Sequence, residues 1–263
     1  MTRGGSAGRA SRSRGLLRLA PPLVPGLLIL ALWVALVRGG AVSPFFLPLP
    51  SDIAREFLAG VTRGTLLDAT ATTLRESLLG VLLGASVAVP LGYLMARSRL
   101  AARAFQPYVA ATQAVPAVAL APLLALWMGY GVFPVVVLCA LMVFFPIMVN
   151  TMLGIHGVDR EVLAAARVDG VGAWRMMRHI EFPLALPSVL AGIRTGVTLS
   201  ATGAVVGEFV MGGEGLGQLL AVQRSGADTV GMFATLLILS ALAITMYGLT
   251  RLVEVYVAAR LEG

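Results

Sequence analysis

Residues 104–158 contain no Asp, Glu, Lys or Arg, and no other feature of the chain restricts its fold so tightly. As one helix rising about 1.5 Å per residue, the stretch would be roughly 80 Å long, against a bilayer core of about 30 Å. It must cross twice. The turning point expected is Gly129-Tyr130-Gly131, with Pro134 just beyond, because Gly and Pro punctuate helices and an aromatic ring suits a membrane interface. Residues 19–37, 77–96 and 230–250 are equally free of charge, and residues 182–207 are interrupted only by Arg194. Each is at least about the length a helix needs to span the bilayer core. With 58% hydrophobic and 13% charged residues, against about a quarter charged in soluble domains, the chain reads as an all-α membrane protein with six transmembrane helices.

Orientation follows from arginine, since cytoplasmic loops carry the basic excess. The sequence has no Lys, so all twenty basic residues are Arg. With the N-terminus inside, fourteen arginines fall on the cytoplasmic face and five on the outer face, so both termini are expected in the cytoplasm. This distribution over juxtamembrane loops also accounts for the net charge of +7 and gives no nucleic-acid footprint, which would need one basic patch. The lone Cys139 excludes an internal disulfide.

The expected organisation begins with a Gly, Ser and Arg-rich disordered tail over residues 1–18. A first transmembrane helix follows over 19–42, retained and not cleaved as a signal segment. An outer surface segment occupies 43–64, in which Ser51 caps a short helix carrying Ile53, Phe57 and Leu58 on one face. The main core spans 65–256 with five transmembrane helices, the first of them entering near Thr65 and running to Arg97, kinked at Pro90. Prolines 107, 116, 122, 134 and 146 either break helices along a transport path or simply kink packed ones.

The cytoplasmic loop at 156–181 is the one long polar inner segment. Residues 161–167 are good helix material, Gly170 and Gly172 interrupt it, and residues 173–180 form a second short helix. Two short helices with an apolar side need something to pack against, and a partner protein is the expected occupant.

This loop resembles the coupling loop of binding-protein-dependent ABC importer permeases: Ala164-Ala165-Ala166-Arg167-Val168-Asp169-Gly170, then Trp174, Arg178, Pro183, Pro187 and Gly192. Ala164 stands where the family's Glu is expected, and Glu161 lies one turn earlier on roughly the same face. Leu49-Pro50-Ser51, Gln113-Ala114-Val115-Pro116, Trp127, Phe144-Phe145-Pro146 and Val205-Val206-Gly207-Glu208 are similar to the branch serving nitrate, taurine, sulfonates, riboflavin and thiamine-precursor pyrimidines. The resemblance implies a type I (MetI-like) importer permease of the bacterial inner membrane, working as a dimer. It also implies an ATP-binding subunit in two copies docked at Glu161, Ala164, Ala165, Gly170, Trp174 and Arg178, and an extracytoplasmic solute-binding protein. The chain has no phosphate-binding Gly-x-x-x-x-Gly-Lys-Ser/Thr loop, so ATP hydrolysis is assigned to the partner and the chain is not an enzyme.

Candidate path residues are Gln113, Arg194, Ser200 and Glu208. Each has a structural alternative: interhelical hydrogen bonding for Gln113, Thr112 and Ser200, an ion pair for Arg194, and a helix-end cap for Glu208. Trp174 is either an anchor in a partner's pocket or packs on the chain itself. His156 and His179 lack metal-site company, and no cofactor is expected. The competing function is an ion-gradient-driven secondary transporter, which would show paired repeats or several intramembrane carboxylates; an intramembrane enzyme would need a catalytic cluster. Among substrates, small organic or inorganic anions come first, with vitamin-like heterocycles close behind.

Overall fold

The computed structural model describes residues 10–261, and side chains over 24–111 and 115–260. The chain is helical throughout these residues, as expected. Four helices are long and apolar enough to cross a membrane, namely Thr65–Arg97, Val132–His156, Ala173–Met211 and Thr229–Arg260; Val24–Arg38 and Ala117–Met128 are shorter apolar helices.

Helix α1 (Ala10–Arg38) begins inside the segment expected as a disordered tail; residues 1–9 of that tail lie outside the described residues. After a turn-rich connection in which Trp33 Nε1 donates to the Pro48 carbonyl at 3.1 Å, α2 (Pro50–Thr62) lies against α3 (Thr65–Arg97) and α11 (Thr229–Leu261). Ser51 does not cap α2. The N-cap is Leu49, with no side-chain bond, because Pro50 fits the first helical position, where its missing N–H costs nothing. Of the face expected, Ile53 is buried and Phe57 packs against the core, while Leu58 is exposed.

Helix α3 occupies the bounds expected and carries Pro90 within it. The charge-free stretch does turn at Gly129 and Gly131, both at positive φ (79° and 122°), a conformation glycine adopts without a Cβ clash. Ahead of that turn the stretch is broken once more: α4 (Arg99–Ala114) ends at Val115-Pro116 and α5 (Ala117–Met128) restarts beyond it. Pro90, Pro107, Pro122, Pro146 and Pro187 all stay inside helices.

The core is three helices deep, with α6 (Val132–His156) between α3 and α9 (Phe182–Met211). Lipid tails are as apolar as Leu, so this association rests on close van der Waals packing instead of water exclusion. The sequence supplies it with glycine stripes at roughly helical spacing on both flanking helices. A Cβ at Gly80 would collide with Cys139, and one at Gly203 would meet Met142 Sδ at 2.8 Å, with Cys139 close behind. One turn along, Val143 sits between Gly84 and Gly196, and beyond that Gly92 and Gly192 approach the α6 backbone at Met148 and Pro146. Side chains of α6 therefore enter notches on both sides, leaving Cys139 and Val143 fully buried.

Candidate coupling surface and its supports

The loop from α6 back into the membrane is a folded unit. Asp159 caps α7 (Arg160–Val168) by accepting the Glu161 N–H at 2.8 Å. Gly170, at φ 75°, ends the turn. Helix α8 (Ala173–Met176) runs through a π-helical turn, Met177–Glu181, directly into α9, where a single short helix was expected. The apolar sides of these elements do not wait for a partner, as the amphipathic pattern suggested. Val158, Leu163, Ala166 and Met176 close a small core of their own, with Val171 and Ile180 at its edge. Four buried positions, Val158 in the connection and the others on the short helices, suffice because each covers the others.

What remains outside is the surface expected to couple. Glu161, Ala164, Ala165, Gly170, Trp174 and Arg178 are all exposed, Trp174 by 67% and the adjoining Val168 by 87%. The rest of Trp174 lines an apolar hollow of about 590 Å³ with Arg178, Pro90, Tyr93 and Phe182.

Beneath this surface lies a link that residue-by-residue reading missed. Glu181, 2% exposed, accepts from Tyr93 Oη at 2.7 Å and Arg97 Nε at 3.0 Å, and pairs with the second guanidinium nitrogen. The Arg97 end of α3 is thereby fastened to the wide turn that carries Arg178 and follows Trp174. A buried carboxylate needs such company, since an unpaired one costs several kcal/mol. The available signal was charge placement: Arg97 closes one span and Glu181 opens another, two crossings later, on the same side.

The four path candidates fall differently. Ser200 is fully buried and donates to the Ser77 carbonyl at 2.7 Å. Glu208 is fully buried and caps α10 (Leu216–Ser225) by accepting the Gly217 N–H, while Leu216 N donates to Thr73 Oγ1 at 2.9 Å. Buried Glu76 brings its carboxyl group against that of Glu208. Gly215 and Gly217 leave no room for a Cβ beside Glu208, so the glycine run after α9 is a fitted contact. Arg194 pairs with Glu254 of α11 at 2.7 Å and lies over the Tyr247 ring. The side chains of Gln113 and Thr112 lie outside the described residues. His156 Nε2 is 3.1 Å from the Ala96 carbonyl.

A family model described as "Binding-protein-dependent transport system inner membrane component" matches residues 88–257. The riboflavin transport system permease protein RibX of Chloroflexus aurantiacus is 40% identical over 228 residues, covering 87% of this chain and 85% of that protein. The formylaminopyrimidine transport permease protein ThiX of Halalkalibacterium halodurans is 31% identical over 212 residues, covering 81% and 84%. Among solved structures, a chain of the MetNI methionine ABC transporter, in inward-facing conformations, superposes with a TM-score of 0.66 at 17% identity, over 74% of this chain and 97% of that one.

Proposed function

From the premise that this chain belongs to the binding-protein-dependent inner membrane components of ABC importers, built on the MetI-type permease fold, we propose that it crosses the membrane six times with both termini in the cytoplasm. Two copies enclose one path and carry two ATP-hydrolysing subunits on their coupling surfaces. The chain itself has no catalytic role; its work is to convert closure of the ATP-binding pair into a switch between inward-open and outward-open states. Such a switch is driven only if nucleotide and loaded binding protein favour the two states differently.

The observation that carries this reading is the self-contained coupling segment. Its apolar residues are satisfied internally, yet Trp174, Val168, Ala164 and Ala165 remain exposed on it, which is what a docking helix with an aromatic anchor requires. The path is assigned to the faces of the spans that α6, α3 and α9 do not bury against one another. Glu208 and Ser200 then act as packing groups beside it, and Gln113 remains the polar candidate along it. For the solute, the relative at 40% identity supports a flat heterocycle of the riboflavin kind, with the pyrimidine, sulfonate and nitrate members of the branch behind it.

The test is purification of the tagged chain in mild detergent with mass spectrometry of its companions, followed by uptake assays in proteoliposomes. Co-purification of an ATP-binding subunit in near-equal amount, with ATP-dependent uptake of riboflavin supplied on its binding protein, is expected. A chain that purifies alone and transports under an ion gradient overturns the proposal.

A further inference from the structure

The spans Thr65–Arg97 and Val132–His156 both end at one hollow of about 280 Å³, walled by Arg97, His156, Arg160 and Arg167 over a floor that includes Ile155 and Leu163. Among the described residues no carboxylate lines it. Arg97 is neutralised by Glu181, which faces the neighbouring hollow on the far side of Arg97 and Arg167. Arg160 and Arg167 belong to none of the ion pairs formed among the described residues. They lie seven positions apart on α7, two turns along the same helix face. Asp159 and Glu161 flank Arg160, and Asp169 lies two positions after Arg167, but none of the three lines the hollow or pairs with either arginine, and Asp159 Oδ1 accepts the Glu161 N–H. The result is a concave site with two uncompensated guanidiniums at the level where two spans leave the membrane.

Guanidinium groups match phosphate oxygens with paired N–H donors, and basic hollows between spans at the cytoplasmic surface suit phospholipid head groups. We propose that this hollow binds a phosphate group, supplied either by the head of an anionic phospholipid in the adjoining leaflet or by phosphate from solution. Its occupant would tie α7 to the ends of α3 and α6 from the side opposite the Arg97–Glu181 link, steadying the coupling segment at the membrane surface.

The experiment is native mass spectrometry of the full chain in mild detergent, titrated separately with phosphatidylglycerol, phosphatidylcholine and inorganic phosphate. Arg160→Gln/Arg167→Gln is compared with Arg99→Gln/Arg103→Gln, which removes the same charge from exposed positions outside the hollow. Phosphatidylglycerol retention is expected to fall roughly thirtyfold in the first variant, from two arginines at about 1 kcal/mol each, and to stay at the parent level in the second. Phosphatidylcholine is not retained. Retention of the anionic lipid alone identifies the lipid as the source, whereas equal sensitivity of inorganic phosphate to the same variant identifies free phosphate. If the double variant does not fold, Arg167→Lys, which keeps the charge and loses the paired donors, is expected to give a partial loss. Equal retention by parent and hollow variants, or equal loss in the exposed-arginine variant, overturns the site. Expulsion of the anion on assembly with the ATP-binding subunit also overturns it, in favour of a seat for that subunit's acidic side chain.

Discussion

Arg97 and Glu181 stand 84 positions apart in sequence, yet the guanidinium closes on the carboxylate and joins the last turn of α3 to the first turns entering α9. The two partners are unequal: Glu181 is 2% exposed and Arg97 31%. Freed of its partner, Arg97 can turn toward water, whereas Glu181 cannot. Arg97→Met is therefore expected to lower stability by about 3 kcal/mol and Glu181→Gln by about 1–2 kcal/mol. Thermal unfolding in detergent checks the order, and a double-mutant cycle the coupling; Glu181→Gln proving the more damaging would contradict the asymmetry.

Trp174 and Leu163 separate docking from folding. Trp174→Ala removes an exposed ring, so the chain's melting temperature is expected to hold while retention of the ATP-binding subunit drops roughly thirtyfold, the effect of a hot-spot residue worth about 2 kcal/mol. Leu163→Ala empties the small loop core and is expected to cost about 2–3 kcal/mol of stability. Pull-down and melting curves on the same preparations distinguish the two, and equal pull-down of parent and Trp174→Ala would remove the anchor.

At the opposite end, Glu208 caps α10 through Gly217 N. Glu208→Ala should lose about 1–2 kcal/mol, the worth of a good cap, with Glu208→Gln losing less because the amide oxygen still accepts. Gly217→Ala should be worse than either, since the new methyl would overlap the Val205 carbonyl. Melting temperatures ranked otherwise would mean that Glu208 is not held by this contact.

The glycine notches predict a steep positional contrast. Gly84→Ala drives a methyl into Val143 and the Ala140 carbonyl and should cost about 1–3 kcal/mol by overpacking. Gly248→Ala, inside α11 with open space around it, should cost nothing and gain up to about 1 kcal/mol from alanine's higher helix propensity. Folded yield and thermal stability in detergent are the readouts, and similar values for both would dissolve the three-helix packing argument.

Much of the architecture could be read directly. Charge-free length located the end of α3 at Arg97 and required a turn within residues 104–158, which the Gly129-Tyr130-Gly131 punctuation placed, because burying charge in lipid is costly enough to dominate local preference. Proline was a poorer guide. Of the many along the chain, Pro116 marks a helix break while Pro107, Pro122 and Pro146 do not, since neighbouring helices decide whether a freed carbonyl finds a donor. The exposed residues of the loop were visible from its motif, but the small core under them was not, because periodicity says that a face is apolar and not which face it meets. Glu208 read equally well as a path residue or a cap, and only the fold brings Gly217 to it. The stripe Gly80, Gly84, Ala88, Gly92 was legible by counting every fourth residue, and signals a close helix approach without naming the partner helix.

The turn at Met177–Glu181 closes with Phe182 N bonded to the Met177 carbonyl, one residue wider than an α-helical turn. Each residue of an α-helix advances the side-chain direction by about 100°. The wide turn thus acts as a phase shifter: α9 keeps its glycines aligned with α6, while Trp174 points where an uninterrupted helix would not send it. The bearing of the segment before it is written in a residue count, so deleting one position within the turn would swing Trp174 around the axis together with Ala173, Arg175 and Met176, drawing Met176 out of the small loop core.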